Sequence, residues 1–376
     1  MYKRNIKLTP LLSEASYFLF GPRATGKSSL IKLEFPNLKI FNLLDSDTYE
    51  EFLRRPKALS EKISADDKIV IIDEIQKLPR LLDEVHRLIE DKKIKFLLTG
   101  SSIRKLKSSG ANMLGERARE IHLFPLTYSE LNDFELFKYL NFGGLPIIWK
   151  SNAPIEDLEA YGRVYLVEEI KQEALVRNYE RFVRFMETMA LSNGKEINYQ
   201  NLASDSGVPA RTIEGYIEVL KDTLIAFELL PYLKSKSRKA VARSKFYFFD
   251  CGVANYFARR FNLTENHSDI GIAFEQFIIL EVRAYISYQR LKKNLTFWRS
   301  RDYEVDLVID DEIGMEIKFS KNFKKEYLRG IKALREESLI TKFIVVGRFP
   351  TDGNVDGVDY YNYENFLTLL WSGGII

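Results

Sequence analysis

Gly21-Pro22-Arg23-Ala24-Thr25-Gly26-Lys27-Ser28 matches in full the pattern of a glycine-framed loop that binds phosphates. The apolar run 17–20 before it predicts a buried strand, and residues 28–34 can begin a helix. In that setting the glycines let the chain wrap around a phosphate, toward which backbone N–H groups and the helix dipole point. We therefore predict a nucleotide site over residues 21–29, which includes Ser29. Lys27 would reach the β and γ phosphates of ATP, and the Ser28 hydroxyl would coordinate Mg²⁺.

A second apolar run, residues 68–72, ends in the acid pair Asp73-Glu74. Ligands of open α/β sheets bind at the carboxyl ends of the strands, where this pair would lie. Asp73 would hold Mg²⁺ through water, and Glu74 would polarise the attacking water. The pair therefore predicts ATP hydrolysis rather than binding alone.

A third apolar run, residues 95–99, leads into Gly100-Ser101-Ser102. In a sheet of this class, the strand between the loop strand and the acid strand carries a polar sensor of the γ-phosphate. Ser101 or Ser102 can serve as that sensor. A hydroxyl that caps the following helix explains the same residues equally well.

Two arginines follow, Arg117 and Arg119, in Gly115-Glu116-Arg117-Ala118-Arg119. A guanidinium from a neighbouring subunit can stabilise the charge of the transition state, so either residue is a candidate arginine finger. That role requires a homo-oligomer. Ordinary surface arginines are the alternative.

The 376 residues suit two or three domains, and the changing pattern of the chain suggests four segments. Short buried runs alternating with helical spacing predict a parallel α/β sheet over residues 1–127. Residues 128–180 read as a helical, lid-like region, with helices over 128–139 and 155–178. Residues 181–240 give helix, turn, helix and strand, the order of a winged helix-turn-helix. Residues 241–376 mix strands and helices, beginning with a strand over 245–249.

The composition excludes several protein classes. Hydrophobic residues make up 45% and charged residues 29%, and 56 basic against 53 acidic residues leave a formal charge of +3, so any basic surface must be local. The single cysteine, Cys251, excludes an internal disulfide and a cysteine-built zinc site. No apolar run approaches the ~18 residues of a membrane span, and the N-terminus has no signal-peptide core. We expect a cytoplasmic protein without membrane contact.

The order of motifs resembles the uncharacterised prokaryotic ATPases of the AAA superfamily. The likeness begins with GPRATGKSSL, KIVIIDEIQKLP, KFLLTGSS and GERAREIHLFPLTYSEL. It continues in FGGLP, TIEGYIEVLKDTLIAFELLPY, KFYFFDCGVANYF and GIAFEQFIILEV, and so covers nearly the whole chain. The resemblance implies ATP binding, ATPase activity, a winged-helix module and a C-terminal restriction-endonuclease-like domain of the PD-(D/E)xK type. It implies no substrate.

The C-terminal segment carries a candidate nuclease site. Glu316 and Lys318 share one face of a predicted strand, and Asp306 lies on the preceding strand of a hairpin. Two such carboxylates repel, so a divalent cation between them is a physical solution, and Lys318 can orient a water for phosphodiester hydrolysis. Glu275, from the preceding helix, would add a carboxylate as in the first motif of such folds. The alternative is a salt bridge on an exposed hairpin.

DNA is the expected partner of the C-terminal half. The second helix of the helix-turn-helix would present Arg211 and Thr212 to a major groove, while Ile213, Tyr216 and Leu220 form its buried face. The run from Lys234 to Lys245 has six basic residues and no acid, so it can grip phosphates or be a solvated linker. We expect ATP hydrolysis coupled to DNA engagement. The alternative is an ATP-dependent switch that binds a protein partner through an inactive nuclease fold.

Overall fold

The computed structural model describes residues 2–104, 106, 114, 117–166, 178–234, 243–337 and 340–376. Its first part is a five-stranded sheet whose strands are apolar and mostly buried, as their Ile, Leu, Val and Phe content predicts. The elements of this part are α1 (Leu8–Glu14), β1 (Ser16–Phe20), α2 (Lys27–Glu34), β2 (Lys39–Asn42), α3 (Ser46–Arg54), α4 (Ala58–Lys62), β3 (Ile69–Asp73), α5 (Leu81–Lys92), β4 (Lys95–Gly100) and β5 (Ala118–His122).

All strand pairs of this sheet are parallel, in the order β2-β3-β4-β1-β5, which confirms the predicted parallel α/β domain. The strand β4 lies between β1, which leads into the phosphate loop, and β3, which carries the acid pair. The three carboxyl ends therefore meet at one edge. The strand β5 was not predicted, because its exposed Arg119 and Glu120 hide the apolar pattern of an edge strand.

A helical region follows. It begins with a 3₁₀ turn (Tyr128–Glu130) and continues with α6 (Leu136–Phe142), α7 (Pro146–Trp149), α8 (Pro154–Ala160) and a π-helical turn (Tyr161–Leu166). The predicted helix 128–139 is therefore two shorter elements, and the end of the predicted helix 155–178 lies outside the described residues.

One loop of this region is held by the part of the chain around residue 250. The backbone N–H of Gly144 donates to Asp250, 2.8 Å away, and a Cβ on Gly143 would lie 2.0 Å from that carboxylate. This contact joins the FGGLP loop to the segment that carries Asp250.

Three helices and an antiparallel strand pair come next, close to the predicted helix, turn, helix and strand. They are α9 (Tyr179–Leu191), α10 (Tyr199–Ser206), α11 (Ala210–Asp222), β6 (Ala226–Pro231) and β7 (Lys245–Phe248). Gly207 takes the left-handed conformation that ends α10, with φ of 65°. The strand β7, assigned in the sequence to the last segment, pairs with β6 and also bridges to Glu196.

The last part extends the β6–β7 pair into an eight-stranded sheet of order β12-β13-β11-β10-β9-β8-β6-β7. Between the long apolar helix α13 and strand β11, the chain runs through three antiparallel strands and a helix, as predicted. The elements are α12 (Cys251–Ala258), α13 (Ile270–Tyr288), β8 (Leu295–Arg299), β9 (Glu304–Ile309), β10 (Ile313–Lys318), a 3₁₀ turn (Lys325–Tyr327), α14 (Leu328–Glu337), β11 (Lys342–Gly347), β12 (Gly353–Val355), β13 (Val358–Asn362) and α15 (Tyr363–Trp371).

The sheet is continuous because β6 pairs in parallel with β8, through Leu230 with Thr296 and Pro231 with Phe297. The strand β6, which follows α11, and the strands that carry Asp306 and Glu316 therefore belong to one sheet. A single apolar core also joins residues of the helical region to α13 and to the strands β9 and β10.

Candidate functional site

The phosphate loop runs from the end of β1 to the start of α2. Ala24 and Gly26 have φ of 62° and 97°, so the chain turns tightly before the helix begins at Lys27. The Thr25 hydroxyl donates to the Pro22 carbonyl at 2.8 Å. A Cβ on Gly21 would lie 2.5 Å from the Leu123 carbonyl oxygen, so glycine is required there. The loop thus has the close turn and the following helix that its sequence predicts.

Lys27 lies inside this loop and is only 6% exposed. Its ammonium group donates to the carbonyls of Gly21 at 2.6 Å and Pro22 at 3.2 Å. Phosphate oxygens are stronger acceptors of a lysine proton than neutral carbonyls, because the bond is then charge-assisted on both sides. The lysine is therefore held at the position from which a bound phosphate would recruit it.

The two predicted Mg²⁺ ligands are in contact. The Ser28 hydroxyl donates to Oδ2 of Asp73 at 3.0 Å, across the gap between α2 and β3. The Thr99 hydroxyl, at the end of β4, donates to the other carboxylate oxygen of Asp73. Hydroxyl and carboxylate oxygens are the ligands that Mg²⁺ prefers, so these residues fit the ion.

The predicted catalytic base, Glu74, follows β3 in a left-handed conformation with φ of 63°. Such backbone is uncommon outside glycine and is concentrated at functional sites. Its N–H donates to the Thr99 hydroxyl at 3.1 Å. The Gln76 amide donates both to Oε2 of Glu74 at 2.5 Å and to the Ser101 hydroxyl at 3.1 Å. Gln76 thus links the base to the candidate sensor.

Of the two candidate sensors, the structure brings Ser101 into this network, while the Ser102 hydroxyl accepts the N–H of Arg104 at 3.3 Å. Gln76 and Thr99 were missed in the sequence. Only their positions in the sequence could have identified them: Thr99 precedes the glycine at the strand end, and Gln76 follows the acid pair by two residues.

The candidate arginine fingers both have partners within the chain. Arg117 pairs with Glu90, and Arg119 pairs with Glu14 at 3.1 Å and contacts the Tyr17 hydroxyl at 3.3 Å. Each ion pair is exposed, and exposed pairs contribute little to stability, so either arginine could exchange its partner for a subunit contact. The role in a second subunit stays a prediction.

A cavity of about 340 Å³ adjoins the loop at Gly26 and Ser29. Tyr2, Leu30 and Leu126 give it an apolar wall, and Pro146 and Ile147 close it from the helical region. Its size and lining suit a nucleobase beside the phosphate loop.

Arg4 braces this cavity and was not singled out in the sequence. Its buried guanidinium donates to the carbonyls of Thr25 at 2.7 Å and Phe124 at 2.6 Å and pairs with Glu130 at 3.0 Å. The N-terminal segment, the phosphate loop and the helical region are therefore joined through one side chain.

The predicted carboxylates of the C-terminal sheet lie together. Asp306 Oδ2 accepts the backbone N–H of Ile317 at 2.7 Å and the Lys318 ammonium at 3.2 Å. Lys318 also lies 2.7 Å from Oε1 of Glu316. Burial, and then the nearby Asp306 charge, raise the pKa of Glu316 well above its usual value. Oε2 of Glu316 is buried without a hydrogen-bond partner among the described residues.

Glu275 instead faces a lysine from β7. Lys245 lies 3.1 Å from Glu275 and 2.5 Å from Glu304, and the Tyr247 hydroxyl donates to Glu275 at 2.5 Å. Burial would lower the pKa of Lys245, but Glu275 and the neighbouring acids outweigh it and raise the pKa. Within the described ranges no three His, Cys, Asp or Glu side chains form a group able to hold a metal ion. The predicted trio of Asp306, Glu316 and Glu275 is therefore not assembled.

The predicted DNA-facing residues are only partly available. Arg211 is exposed and Thr212 half-buried on α11, and Ile213, Tyr216 and Leu220 are buried, as expected. The exposed side of this helix also carries acids, Glu214 and Glu218.

The basic run 234–245 needs a correction. Lys245 is 3% exposed and cannot grip a phosphate, because it is the counter-ion of Glu275 and Glu304. Lys234 pairs with Asp311 at 2.7 Å. Lys236, Arg238 and Lys239 lie outside the described residues.

Comparison with known families divides the chain into three parts. Residues 13–132 match the model of the AAA domain. Residues 133–264 and 270–358 match two models described as domains of unknown function, DUF8612 and DUF4143. No part of the described chain forms a helix with the length and apolar character of a membrane span.

Two curated proteins are similar over most of the chain. The uncharacterized proteins Mb2031c of Mycobacterium bovis and Rv2008c of Mycobacterium tuberculosis are each 24% identical over 314 residues, which cover 80% of this chain and 69% of theirs. Among solved structures, a signal transduction ATPase with numerous domains and a tetratricopeptide repeat sensor, PH0952 from Pyrococcus horikoshii, is 15% identical with a TM-score of 0.21. That alignment covers 77% of this chain and 49% of the other, so the chain spans about half of that structure.

The AAA match covers the phosphate loop, the acid pair and the sensor strand, whose ends the parallel sheet brings together. The match over residues 13–132 supports the predicted P-loop ATPase domain of the AAA type. The winged helix and the nuclease-like domain stay predictions.

Proposed function

We propose that this ATPase couples nucleotide hydrolysis to DNA engagement by its C-terminal half. The observation that carries the proposal is a contact between the loop after β4 and the end of α11. The Ile103 N–H donates to the Asp222 carbonyl at 2.9 Å, and Arg104 pairs with the Asp222 side chain at 3.3 Å. Ile103 follows the candidate sensors directly, so a change at the γ-phosphate would reach the helix proposed to contact DNA.

Mg²⁺ would be held by Ser28 and, through water, by Asp73, and would neutralise charge on the phosphates. Lys27 would bind the β and γ phosphates, and Glu74 would take the proton of the attacking water. The Gln76 amide would orient the Glu74 carboxylate, and Ser101 would report the γ-phosphate. The cavity beside Tyr2 would take the base.

For the DNA contact, we interpret α9–α11 with the β6–β7 pair as a winged helix. Arg211 and Thr212 would meet the duplex, and the exposed Arg243 of the basic run would contact a phosphate. Because β6 also pairs with β8, a duplex held there would lie along the sheet that carries Asp306 and Glu316.

We further propose that this sheet belongs to a restriction-endonuclease-like domain. Its order of a helix, three strands, a helix and a strand agrees with that fold. The buried Oε2 of Glu316 has no hydrogen-bond partner among the described residues, so it fits a divalent cation beside Asp306. The cation would polarise the scissile phosphate, and Lys318 would orient the attacking water.

A second candidate is an ATP-dependent switch that binds a protein partner. Two observations favour it: Lys245 already neutralises Glu275, and the exposed side of α11 carries Glu214 and Glu218. In that case the C-terminal carboxylates bind no metal.

Arg104→Ala tests the coupling, with Arg54→Ala, which removes an exposed pair with Glu50, as the matched control. ATP turnover is measured with and without duplex DNA. We expect DNA to change the turnover of the wild type and of Arg54→Ala, and to have little effect on Arg104→Ala. If DNA does not change the ATP turnover of the wild type, the result favours the switch that binds a protein partner.

Cleavage is tested by incubating varied DNA with Mg²⁺ or Mn²⁺ and comparing the wild type with Asp306→Ala. The proposed site predicts cleavage by the wild type alone. If Asp306→Ala still cleaves DNA, Asp306 is not part of the cleavage site. If neither protein cleaves DNA, the result favours the catalytically inactive nuclease fold.

A further inference from the structure

Arg283 of α13 is a partly buried cation without a counter-ion in the described chain. Its guanidinium carbon lies 4.2 Å from the ring centre of Phe227 and 5.2 Å from that of Phe124. No residue that the structure describes forms a hydrogen bond or an ion pair with this guanidinium. Burial lowers its pKa to about 10, so the group is still charged at neutral pH.

This arginine lines two adjoining cavities, of about 250 and 310 Å³. They lie where the end of β5, the strand β6 and the helix α13 meet. Leu224 and Phe249 line the first cavity and Ile286 the second, so the surroundings of the guanidinium are largely apolar.

The other ionisable groups of the cavities do not supply a counter-ion. Glu228 is engaged by Lys221 at 2.8 Å. Lys293, at the far end, pairs with Glu312 and lies 3.8 Å from Asp310. Burial and the Arg283 charge hold the pKa of His122 at about 4, so this side chain is neutral. As far as the described residues go, the cavities therefore carry a positive charge without a counter-ion in a largely apolar setting.

An unpaired charge in such a setting is costly, and buried charges in proteins are usually paired. The rings of Phe227 and Phe124 lie close to the guanidinium but leave its N–H donors without an acceptor among the described residues, and these donors suit the two oxygens of a carboxylate or phosphate. We propose that this cavity binds a small organic oxyanion, with its carboxylate or phosphate on Arg283 and its apolar body between the aromatic walls.

The site adjoins the nucleotide loop. Gly21 and Pro22 line the first cavity, and their carbonyl groups accept hydrogen bonds from the Lys27 ammonium group. An occupant would pack against the loop segment that ATP must rearrange. The bound anion would therefore change the affinity for ATP, and the chain would respond to a small molecule besides its nucleotide.

The proposal is tested by titrating the full chain with benzoate, phenyl phosphate and inorganic phosphate. Calorimetry and ligand-detected NMR measure the binding. Benzamide is the neutral control. We expect at least one aryl anion to bind the wild type with a Kd of about 1 mM or tighter. The better of the two aryl anions identifies the preferred oxyanion. The proposal would be overturned if neither aryl anion bound more tightly than benzamide. It would also be overturned if inorganic phosphate bound as tightly as phenyl phosphate.

Arg283→Met should weaken the aryl anion by roughly 10- to 100-fold, as expected for the loss of a charge-assisted hydrogen bond. Arg290→Met removes a positive charge that lies outside the cavity, beside Tyr17 and Glu14, and should leave binding unchanged. Equal binding by folded Arg283→Met would contradict the assignment. Should that variant fail to fold, Ser287→Trp, which fills the second cavity from its half-buried rim, decides by the same criterion.

Discussion

The ammonium group of Lys245 lies 3.1 Å from Oε1 of Glu275, and this contact ties the strand β7 to the long helix α13. The lysine side chain is 4% exposed and also reaches Glu304 at 2.5 Å. A charge from the basic run thus lies inside the protein as the counter-ion of two acids.

Replacing Lys245 by Met should destabilise the protein by about 3–5 kcal/mol, because Glu275 would be left buried and unpaired. Lys234→Met, which removes an exposed pair with Asp311, should cost about 0–1 kcal/mol. Urea unfolding at neutral pH measures both. If both variants lose the same free energy of unfolding, the buried contact of Lys245 contributes no more to stability than the exposed pair of Lys234.

Lys27→Ala should abolish ATP binding while the fold is retained. The lysine donates to the loop carbonyls of Gly21 and Pro22, and a bound phosphate is expected to take these hydrogen bonds. A fluorescent ATP analogue measures the affinity, and Lys32→Ala, on the exposed side of the same helix, is the matched control. Unchanged affinity in the Lys27 variant would count against the whole nucleotide site.

Glu74→Gln should bind ATP normally and hydrolyse it at least about 100-fold more slowly, since the amide cannot take the proton of the attacking water. Gln76→Ala should lower kcat by a smaller factor and leave KM unchanged, because Gln76 only orients the base. Steady-state turnover separates the two effects. A Glu74→Gln enzyme with full turnover would remove this residue from catalysis.

Stability should depend on pH through Glu281. Burial raises the pKa of this group to about 8 from an ordinary 4.5, although Tyr128 N–H and the Trp371 indole donate to it at 2.7 Å. The folded state therefore holds the proton more tightly than the unfolded state. Its contribution is fully present below pH 4.5 and is lost as the pH rises to about 8.

The free energy of unfolding should consequently fall between pH 5 and 8 by up to several kcal/mol from this group, at roughly 1.4 kcal/mol per pKa unit. In Glu281→Gln that fall should be smaller, even if the variant is less stable overall through a lost hydrogen bond. Denaturation series at several pH values make the comparison. Parallel pH profiles for the two proteins would refute the assignment.

The sequence predicted the first sheet well because its strands are short apolar runs followed by motifs whose chemistry needs strand ends. Ser28, Asp73 and Glu74 were found for that reason. Arg4 was not, because its partners Phe124 and Glu130 are more than a hundred residues away and no local pattern points to them.

The same limit explains the misread basic run. A stretch without acids indicates a solvated or DNA-binding surface, and the sequence near Lys245 offers no sign of Glu275 or Glu304. The pairings of β7 with β6, β6 with β8 and β8 with β9 bring Lys245 to Glu304, and the contact of β7 with α13 brings it to Glu275. Arg283 was overlooked because a single arginine in an apolar helix carries no motif.

The β6–β8 pairing bears on how this chain can be divided for study. A fragment that starts at residue 241 would keep β7 and β8 but lose the strand between them, and its sheet would present an unprotected edge prone to self-association. A cut before α9, near residue 178, would keep both neighbours of β6. Recombinant halves divided there should therefore aggregate less than halves divided at the basic run, although either cut exposes the apolar core that the helical region shares with α13.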